Sequence, residues 1–133
     1  MIGGGVIGLS VAYHLAELGI TDVLLAERNT LTSGTSWHAA GIVGPLRATL
    51  NLTLLARGAL DRFPRLEAQT GQGTGFRTTG GVWLARCAER LTELRRMADL
   101  AGPAGLHAYM LSAPEIAARV PGMSVEGIVG GLW

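Results

Sequence analysis

The sequence predicts an α/β fold that begins with a β-α-β unit, and three observations support the prediction. A Gly-x-Gly-x-x-Gly fingerprint spans residues 3–8. Apolar residues then recur at helical spacing from about Val6 to Leu18, which predicts a helix whose apolar face packs on a sheet, and Gly19 stands where a helix commonly ends. The apolar run 23–26 fits a buried parallel strand, and Glu27 follows it, about 20 residues beyond the fingerprint. Together these spacings are typical of a dinucleotide-binding unit.

Each glycine of the fingerprint has a separate expected role. Gly3 permits the tight turn out of the first strand, Gly5 lets the backbone approach a pyrophosphate, and Gly8 lets the helix pack closely on the strand. The N-terminus of the following helix presents free N–H groups and a partial positive charge to phosphates. Glu27 is placed to accept hydrogen bonds from a ribose hydroxyl.

The scaffold around this motif looks short. Only Met1 and Ile2 precede the fingerprint, whereas a strand usually takes about five or six residues. Hydrophobic residues make up 48% of the chain and charged residues 16%, with a mean hydropathy of +0.33, which is apolar for a self-contained soluble domain. We therefore expect a piece of a larger protein whose apolar faces have partners elsewhere. The alternative is a complete protein rich in alanine, glycine and leucine.

Composition argues against several classes of function. The net charge is +1 and no basic run exists, so we expect neither a nucleic acid nor a membrane surface as a partner. Cys87 is the only cysteine, which leaves no internal disulfide and no thiolate metal cluster. His14, His38 and His107 lack metal-ligand spacing, so no metal is expected. Without a signal peptide or a long apolar span, we expect a cytoplasmic protein, or a mitochondrial matrix protein if eukaryotic.

The rest of the chain alternates helical and extended patterns after a loop rich in Thr, Ser, Gly and Ala. In chain order, we predict a helix over 48–69 interrupted at Pro64, a β-hairpin joining 75–79 to 82–85, a helix over 88–101, a strand over 107–111, a short helix capped by Ser112, and a strand over 127–133. Trp83 is expected in the core and Cys87 as a small packing residue.

The segment Ser33–Gly41 combines hydroxyls, small residues and one imidazole. Small residues let a chain lie against a flat ring, and hydroxyls or amides can bind phosphate or ring oxygens. His38 offers a nucleophilic nitrogen, although on chemistry alone a hydrogen-bonded structural histidine is the other interpretation.

These motifs are similar to those of a known family. Gly3–Gly8, Glu27-Arg28 and Leu31–Gly41 closely resemble the flavin domain of the dimethylglycine/sarcosine dehydrogenase family, which belongs to the DAO-type flavoproteins. The resemblance continues to Gly130-Gly131 and covers essentially the whole chain. Its most specific part is the string Trp37–Gly41.

The resemblance implies an incomplete Rossmann-like FAD-binding domain of the DAO type over residues 1–70, followed by the beginning of an α+β substrate domain over residues 71–133. In the family the matching histidine is joined covalently to the 8α carbon of FAD, so His38 is the candidate attachment point. No residue of the chain is assigned a catalytic role. The implied cofactor-binding residues are Gly3, Gly5, Val6, Ile7, Gly8, Glu27, Arg28, Ser33, Gly34, Thr35, Ser36, Trp37, His38, Ala39, Ala40, Gly41 and Ile42.

The activity implied by the resemblance is FAD-dependent oxidative demethylation of an N-methyl amino acid such as dimethylglycine or sarcosine. The electron acceptor would be an electron-transfer flavoprotein or oxygen, and this chain alone is expected to be inactive. One alternative is another DAO-type oxidase with non-covalent FAD, and a second is a non-catalytic regulatory or binding module on a flavin fold. An NAD-dependent protein ranks lower because Ser33–Gly41 has no role there.

Overall fold

The computed structural model describes all 133 residues, which form two compact units. The N-terminal unit is Met1–Ile42 and the C-terminal unit is Val43–Trp133. The predicted division at residue 70 separates cofactor from substrate segments and stays a prediction. None of the helices combines the length and apolar character that a membrane span requires. The elements are α1 (Val6–Glu17) in the N-terminal unit, then α2 (Leu50–Leu60), α3 (Arg62–Thr70), β1 (Trp83–Ala85), α4 (Ala88–Ala101), β2 (Met110–Leu111), α5 (Ala113–Arg119) and β3 (Gly130–Leu132).

The N-terminal unit contains the predicted β-α-β order with very little strand. Ile2 and Ala26 form an isolated parallel bridge, in which Gly3 N–H donates to Ala26 O at 2.8 Å and Ala26 N–H donates to Met1 O at 3.0 Å. The predicted strand over 23–26 is thus reduced to this bridge, because only two residues precede Gly3 and can pair with it. The predicted helix agrees with α1 to within one residue at its end.

The apolar face of α1 does not pack as the sequence suggested. Ile7, Val11 and Leu18 are 77%, 44% and 75% exposed, and α1 has no buried residue. The expectation that this face covers a sheet is therefore wrong for the residues of this chain. One parallel bridge offers no sheet surface wide enough for a helix to cover.

The C-terminal unit is built on a three-stranded antiparallel sheet with the order β1-β3-β2. Trp83 pairs with Leu132, and Met110 pairs with Leu132 from the other side. Gly131 lies so close to the Trp83 carbonyl and to Ile116 that a Cβ would not fit, which explains a glycine in the central strand. The strand predictions over 107–111 and 127–133 are correct in place but longer than β2 and β3.

The predicted hairpin across Gly80-Gly81 is wrong. Residues 75–79 form no strand, and β1 pairs with β3 instead. Phe76 stacks on Phe63 of α3 with ring centroids 4.6 Å apart, and Thr74 donates from both its N–H and its hydroxyl to Glu67 Oε1. These contacts hold the segment against α3, so it does not pair with β1.

The helix predicted over 48–69 with an interruption at Pro64 is divided into α2 and α3, and the division lies at Asp61. Pro64 has no N–H to donate to Leu60 O four residues earlier, and its ring would clash with that carbonyl. The break therefore falls one turn before the proline rather than at it. Thr49 caps α2, where its hydroxyl accepts a long hydrogen bond from Leu52 N–H at 3.4 Å.

The core of the C-terminal unit lies between the sheet and the helices. Leu94 of α4, Ile116 of α5 and Leu132 of β3 are fully buried. Trp83 packs against this core while remaining partly exposed, in line with its predicted position. Cys87 is exposed at the N-cap of α4, so its predicted packing role is wrong.

We predict that Ser112→Ala lowers the free energy of unfolding by about 1 kcal/mol, because Ser112 forms the capping box of α5. Ser112 N–H donates to Glu115 Oε2 at 2.7 Å and its hydroxyl donates to the same oxygen at 2.6 Å. Thermal and urea unfolding would measure the loss. Ser124→Ala is the matched control, since Ser124 accepts only a 3.4 Å hydrogen bond from Glu126 N–H. Equal losses in both variants would contradict the assignment.

Candidate functional site

The glycine loop joins the parallel bridge to α1 in a conformation that depends on glycine. Gly3 has φ +106°, a region that residues with a Cβ rarely adopt. A Cβ on Gly8 would collide with the carbonyl oxygen of Gly3 and would lie 3.1 Å from its carbonyl carbon. Helix α1 therefore reaches the loop this closely only because Gly8 has no side chain.

The first N–H of α1 and the N–H of Gly4 just before its N-cap donate to polar side chains from later in the chain. Gly5 is the N-cap and supplies no capping side chain. Val6 N–H donates to Ser36 Oγ at 2.9 Å, and Gly4 N–H donates to Glu27 Oε2 at 2.6 Å. A helix N-terminus with accessible N–H groups is a natural anion-binding site, and the acceptors found there are a hydroxyl and a carboxylate.

Glu27 is fixed by two backbone donors. Besides the bond from Gly4, Asn29 N–H donates to Glu27 Oε1 at 3.0 Å. The Gly4 hydrogen bond, followed by that of Asn29 and by lesser contributions from Arg28, lowers the pKa of Glu27 below its ordinary 4.5, although desolvation opposes the shift. The carboxylate is thus ionised at neutral pH and held at the carboxyl end of the bridged segment, where open α/β sheets place their ligands.

We expect the glycine loop to stay closed on Glu27 at pH 4.5 and to open only at lower pH. A carboxyl whose pKa is lower in the folded state adds stability above its unfolded pKa and loses it as the pH falls through the folded pKa. Glu27→Gln cannot ionise and should remove this dependence. An NMR acid titration that follows the Glu27 carboxyl and the Gly4 amide would measure it. A Glu27 titration midpoint at or above 4.5 would contradict the prediction.

The loop 31–38 folds as a series of turns beside the glycine loop. Thr32 N–H donates to Gly4 O at 2.9 Å, and Trp37 N–H donates back to Thr32 O at 3.0 Å. The exposed ring of His38 is held through Nδ1, which lies 2.9 Å from Gly34 O. Because a carbonyl oxygen only accepts, Nδ1 carries the proton, and Nε2 of the neutral ring keeps its lone pair.

All the predicted cofactor residues fall in the N-terminal unit, but the structure brings only some of them together. Gly3, Gly5, Gly8, Glu27 and Ser36 converge on the start of α1. The remaining ones are largely exposed around it, among them Ile7, Arg28, Trp37, Ala39, Ala40, Gly41 and Ile42.

The contributions of two residues to the site were not predicted from the sequence. Thr32 adopts φ +64°, which is rare for a β-branched residue, while it joins the two loops. Such conformations cluster at functional sites, and nothing in the residue type announces them. Asn29 acts through its backbone N–H alone, so no side-chain signal could reveal it.

The arrangement fits FAD. The N–H groups of the glycine loop can bind a pyrophosphate, Glu27 can accept from a ribose hydroxyl, and the small residues after Ser33 leave room for a flat ring. No group of three or more His, Cys, Asp or Glu side chains is placed to hold a metal ion.

Comparisons with known proteins give close relatives over nearly the whole chain. The 4-methylaminobutanoate oxidase (formaldehyde-forming) of Paenarthrobacter nicotinovorans is 41% identical over 132 residues, and the mitochondrial sarcosine dehydrogenase of Homo sapiens is 38% identical over 134 residues. The mitochondrial pyruvate dehydrogenase phosphatase regulatory subunit of Mus musculus is 32% identical over 131 residues. These matches cover 98–100% of this chain but only 15–16% of the length of each relative.

The solved structures include a glycine oxidase from Bacillus cereus that is 32% identical, with a TM-score of 0.81. The match covers 98% of this chain and 36% of that chain. The profile of the family described as DAO, FAD-dependent oxidoreductase, matches residues 1–133. Since this profile covers the entire sequence, the chain belongs to the DAO family of FAD-dependent oxidoreductases.

Proposed function

We propose that the protein carrying this chain catalyses the oxidative demethylation of a small N-methyl amino acid of the dimethylglycine or sarcosine type. The observation that carries the proposal is the contact between the His38 loop and the glycine loop, through Thr32 N–H to Gly4 O and Val6 N–H to Ser36 Oγ. This contact supports the proposal because it joins the loop proposed to bind the pyrophosphate to the loop proposed to line the flavin. Relatives named for methylamino acids support the substrate class.

When bound, FAD supplies the two-electron acceptor for oxidation of the N-methyl carbon. The residues of this chain bind and orient that cofactor. The N–H groups at the start of α1 would hold the pyrophosphate, Glu27 would hold the ribose, and Ser33–Ile42 would line the ring system. Arg28 adds a positive charge beside Glu27. No side chain of this chain is assigned as an acid or a base in the reaction.

We further propose that His38 is joined covalently to the 8α carbon of FAD through Nε2. This nitrogen keeps a lone pair because Nδ1 donates to Gly34 O, and the side chain is exposed. Attachment at Nε2 would break one C–H bond of the methyl group and leave the proton on Nδ1, so the linked ring would carry a positive charge. The one proton and two electrons released would pass, with a second proton from solvent, to an oxidant such as dioxygen, which would become hydrogen peroxide.

The test of the activity is anaerobic mixing of the holoprotein with sarcosine, dimethylglycine and glycine in parallel. We expect the oxidised-flavin absorbance to disappear with an N-methyl substrate while formaldehyde forms in an amount equal to the reduced flavin, and further formaldehyde to form only once an acceptor is added. If glycine or a D-amino acid reduced the flavin and neither sarcosine nor dimethylglycine did, the result would favour another DAO-type amino-acid oxidase.

A second candidate function is a non-catalytic regulatory module, and the similarity to the phosphatase regulatory subunit favours it. In that case the holoprotein would bind FAD, dithionite would reduce the flavin, and no amine would reduce it.

The electron acceptor of the proposed enzyme would be identified by assaying electron-transfer flavoprotein and oxygen separately. A cytoplasmic location, or the mitochondrial matrix in a eukaryote, stays a prediction.

A further inference from the structure

Ser36 caps a helix that lies 30 residues earlier in the chain. Its hydroxyl accepts from Val6 N–H at 2.9 Å, while the N-cap residue Gly5 supplies no side chain of its own. A Cβ on Gly5 would stand 3.3 Å from Ser36 Oγ, so the fit between the two is close. Ser36 is also half-buried in a loop whose other residues are exposed. The hydroxyl therefore occupies the position that an anion takes at a helix N-terminus.

The same loop fixes His38. Ser36 O accepts from Ala39 N–H at 3.3 Å, and Trp37 N–H donates to Thr32 O and to Gly34 O. Gly34 O in turn accepts from His38 Nδ1. The position of His38 is thus linked through a short chain of hydrogen bonds to the Val6 N–H group.

We propose that the Ser36–Val6 hydrogen bond holds the loop 31–38 closed until a pyrophosphate competes for Val6 N–H. Occupation of the anion site then frees Ser36 and loosens the loop, so that His38 becomes mobile only after the nucleotide has bound. This inference rests on the proposed dinucleotide site and adds an order of events to it. Ser36 acts as a positioning residue for His38.

The size of the effect follows from a single hydrogen bond. One such bond contributes about 0.5–1.5 kcal/mol, which corresponds to a change of about twofold to tenfold in the opening equilibrium of the loop. Thr32 N–H to Gly4 O remains as the second contact, so the loop should loosen without leaving the unit.

The experiment is hydrogen–deuterium exchange of the full-length protein in its flavin-free form, produced under riboflavin starvation, with and without ADP. ADP carries the ribose and the pyrophosphate but no flavin ring, so it cannot touch His38 as a ring would. We expect ADP to raise exchange in residues 31–38 by about twofold to tenfold, although ligands usually slow exchange. In Ser36→Ala the exchange should already be raised and should not respond to ADP.

Two further variants separate the role of the hydroxyl from general loop stability. Ser36→Thr keeps the hydroxyl and should respond as the wild type does. Thr30→Ala removes an exposed hydroxyl just before the same loop, at a residue outside the proposed cofactor-binding set, and it should also keep the response. The inference is overturned, while the proposed dinucleotide site stands, if ADP binds but slows exchange in 31–38. It is also overturned if ADP still raises exchange in Ser36→Ala. If calorimetry detects no ADP binding, the proposed dinucleotide site fails together with it.

Discussion

Replacing His38 by alanine should abolish covalently bound flavin while leaving the fold unchanged. The side chain is exposed, and its only hydrogen bond is to the Gly34 carbonyl, so its removal should change the free energy of unfolding by less than about 0.5 kcal/mol. The variant retains the N–H groups of the glycine loop and Glu27, so FAD should still bind reversibly. Acid precipitation followed by fluorescence of the denatured protein, with peptide mass analysis, would measure the covalent fraction.

His107→Ala is the matched control, because His107 is likewise exposed but lies in the C-terminal unit. It should keep the full covalent fraction. Flavin that stays with the denatured His38→Ala protein would contradict the attachment site. Flavin that leaves the denatured wild type would instead favour a DAO-type oxidase with non-covalent FAD.

Local sequence patterns predicted the elements whose formation depends on neighbouring residues. Helix α1 follows from the fingerprint and the apolar spacing, and α5 follows from Ser112 and Glu115 three residues apart. The break between α2 and α3 was also readable from Pro64, although its place was not. In each case the deciding contacts lie within about one helical turn.

Strand pairing could not be predicted in the same way because it depends on distant residues. Val82–Ala85 and Gly75–Thr79 read as a hairpin, yet β1 pairs with β3 about 45 residues later. The choice is made by the close fit of Gly131 under Trp83 and by the stacking of Phe76 on Phe63. Neither contact can be predicted from the local sequence pattern of residues 75–85.

The candidate site shows the same division. The fingerprint glycines and Glu27 were predicted from spacing, and they converge in the structure. The capping of Val6 by Ser36 and the left-handed Thr32 were not, since one joins residues far apart and the other depends on backbone strain.

Gly8→Ala should destabilise the N-terminal unit and weaken FAD binding at once. The new Cβ would collide with the Gly3 carbonyl, which is backbone and is held in place by the hydrogen bond from Gly3 N–H to Ala26 O at 2.8 Å. Relief requires α1 to move away or the loop to open, at about 1–3 kcal/mol. Either movement displaces the Val6 N–H group, so FAD affinity should fall about tenfold or more, since 1.4 kcal/mol is a factor of ten.

Gly58→Ala tests whether this effect comes from the collision or from loss of glycine in a helix. Gly58 lies inside α2 with nothing within 4 Å of a built Cβ. Alanine there should raise the free energy of unfolding by about 0.5–1 kcal/mol and leave FAD affinity unchanged, because alanine restricts the unfolded chain more than glycine does. Urea unfolding and FAD fluorescence titration of both variants give the comparison. If Gly8→Ala kept wild-type stability and affinity, the close approach of α1 to the glycine loop would not be what positions the anion-binding N–H groups.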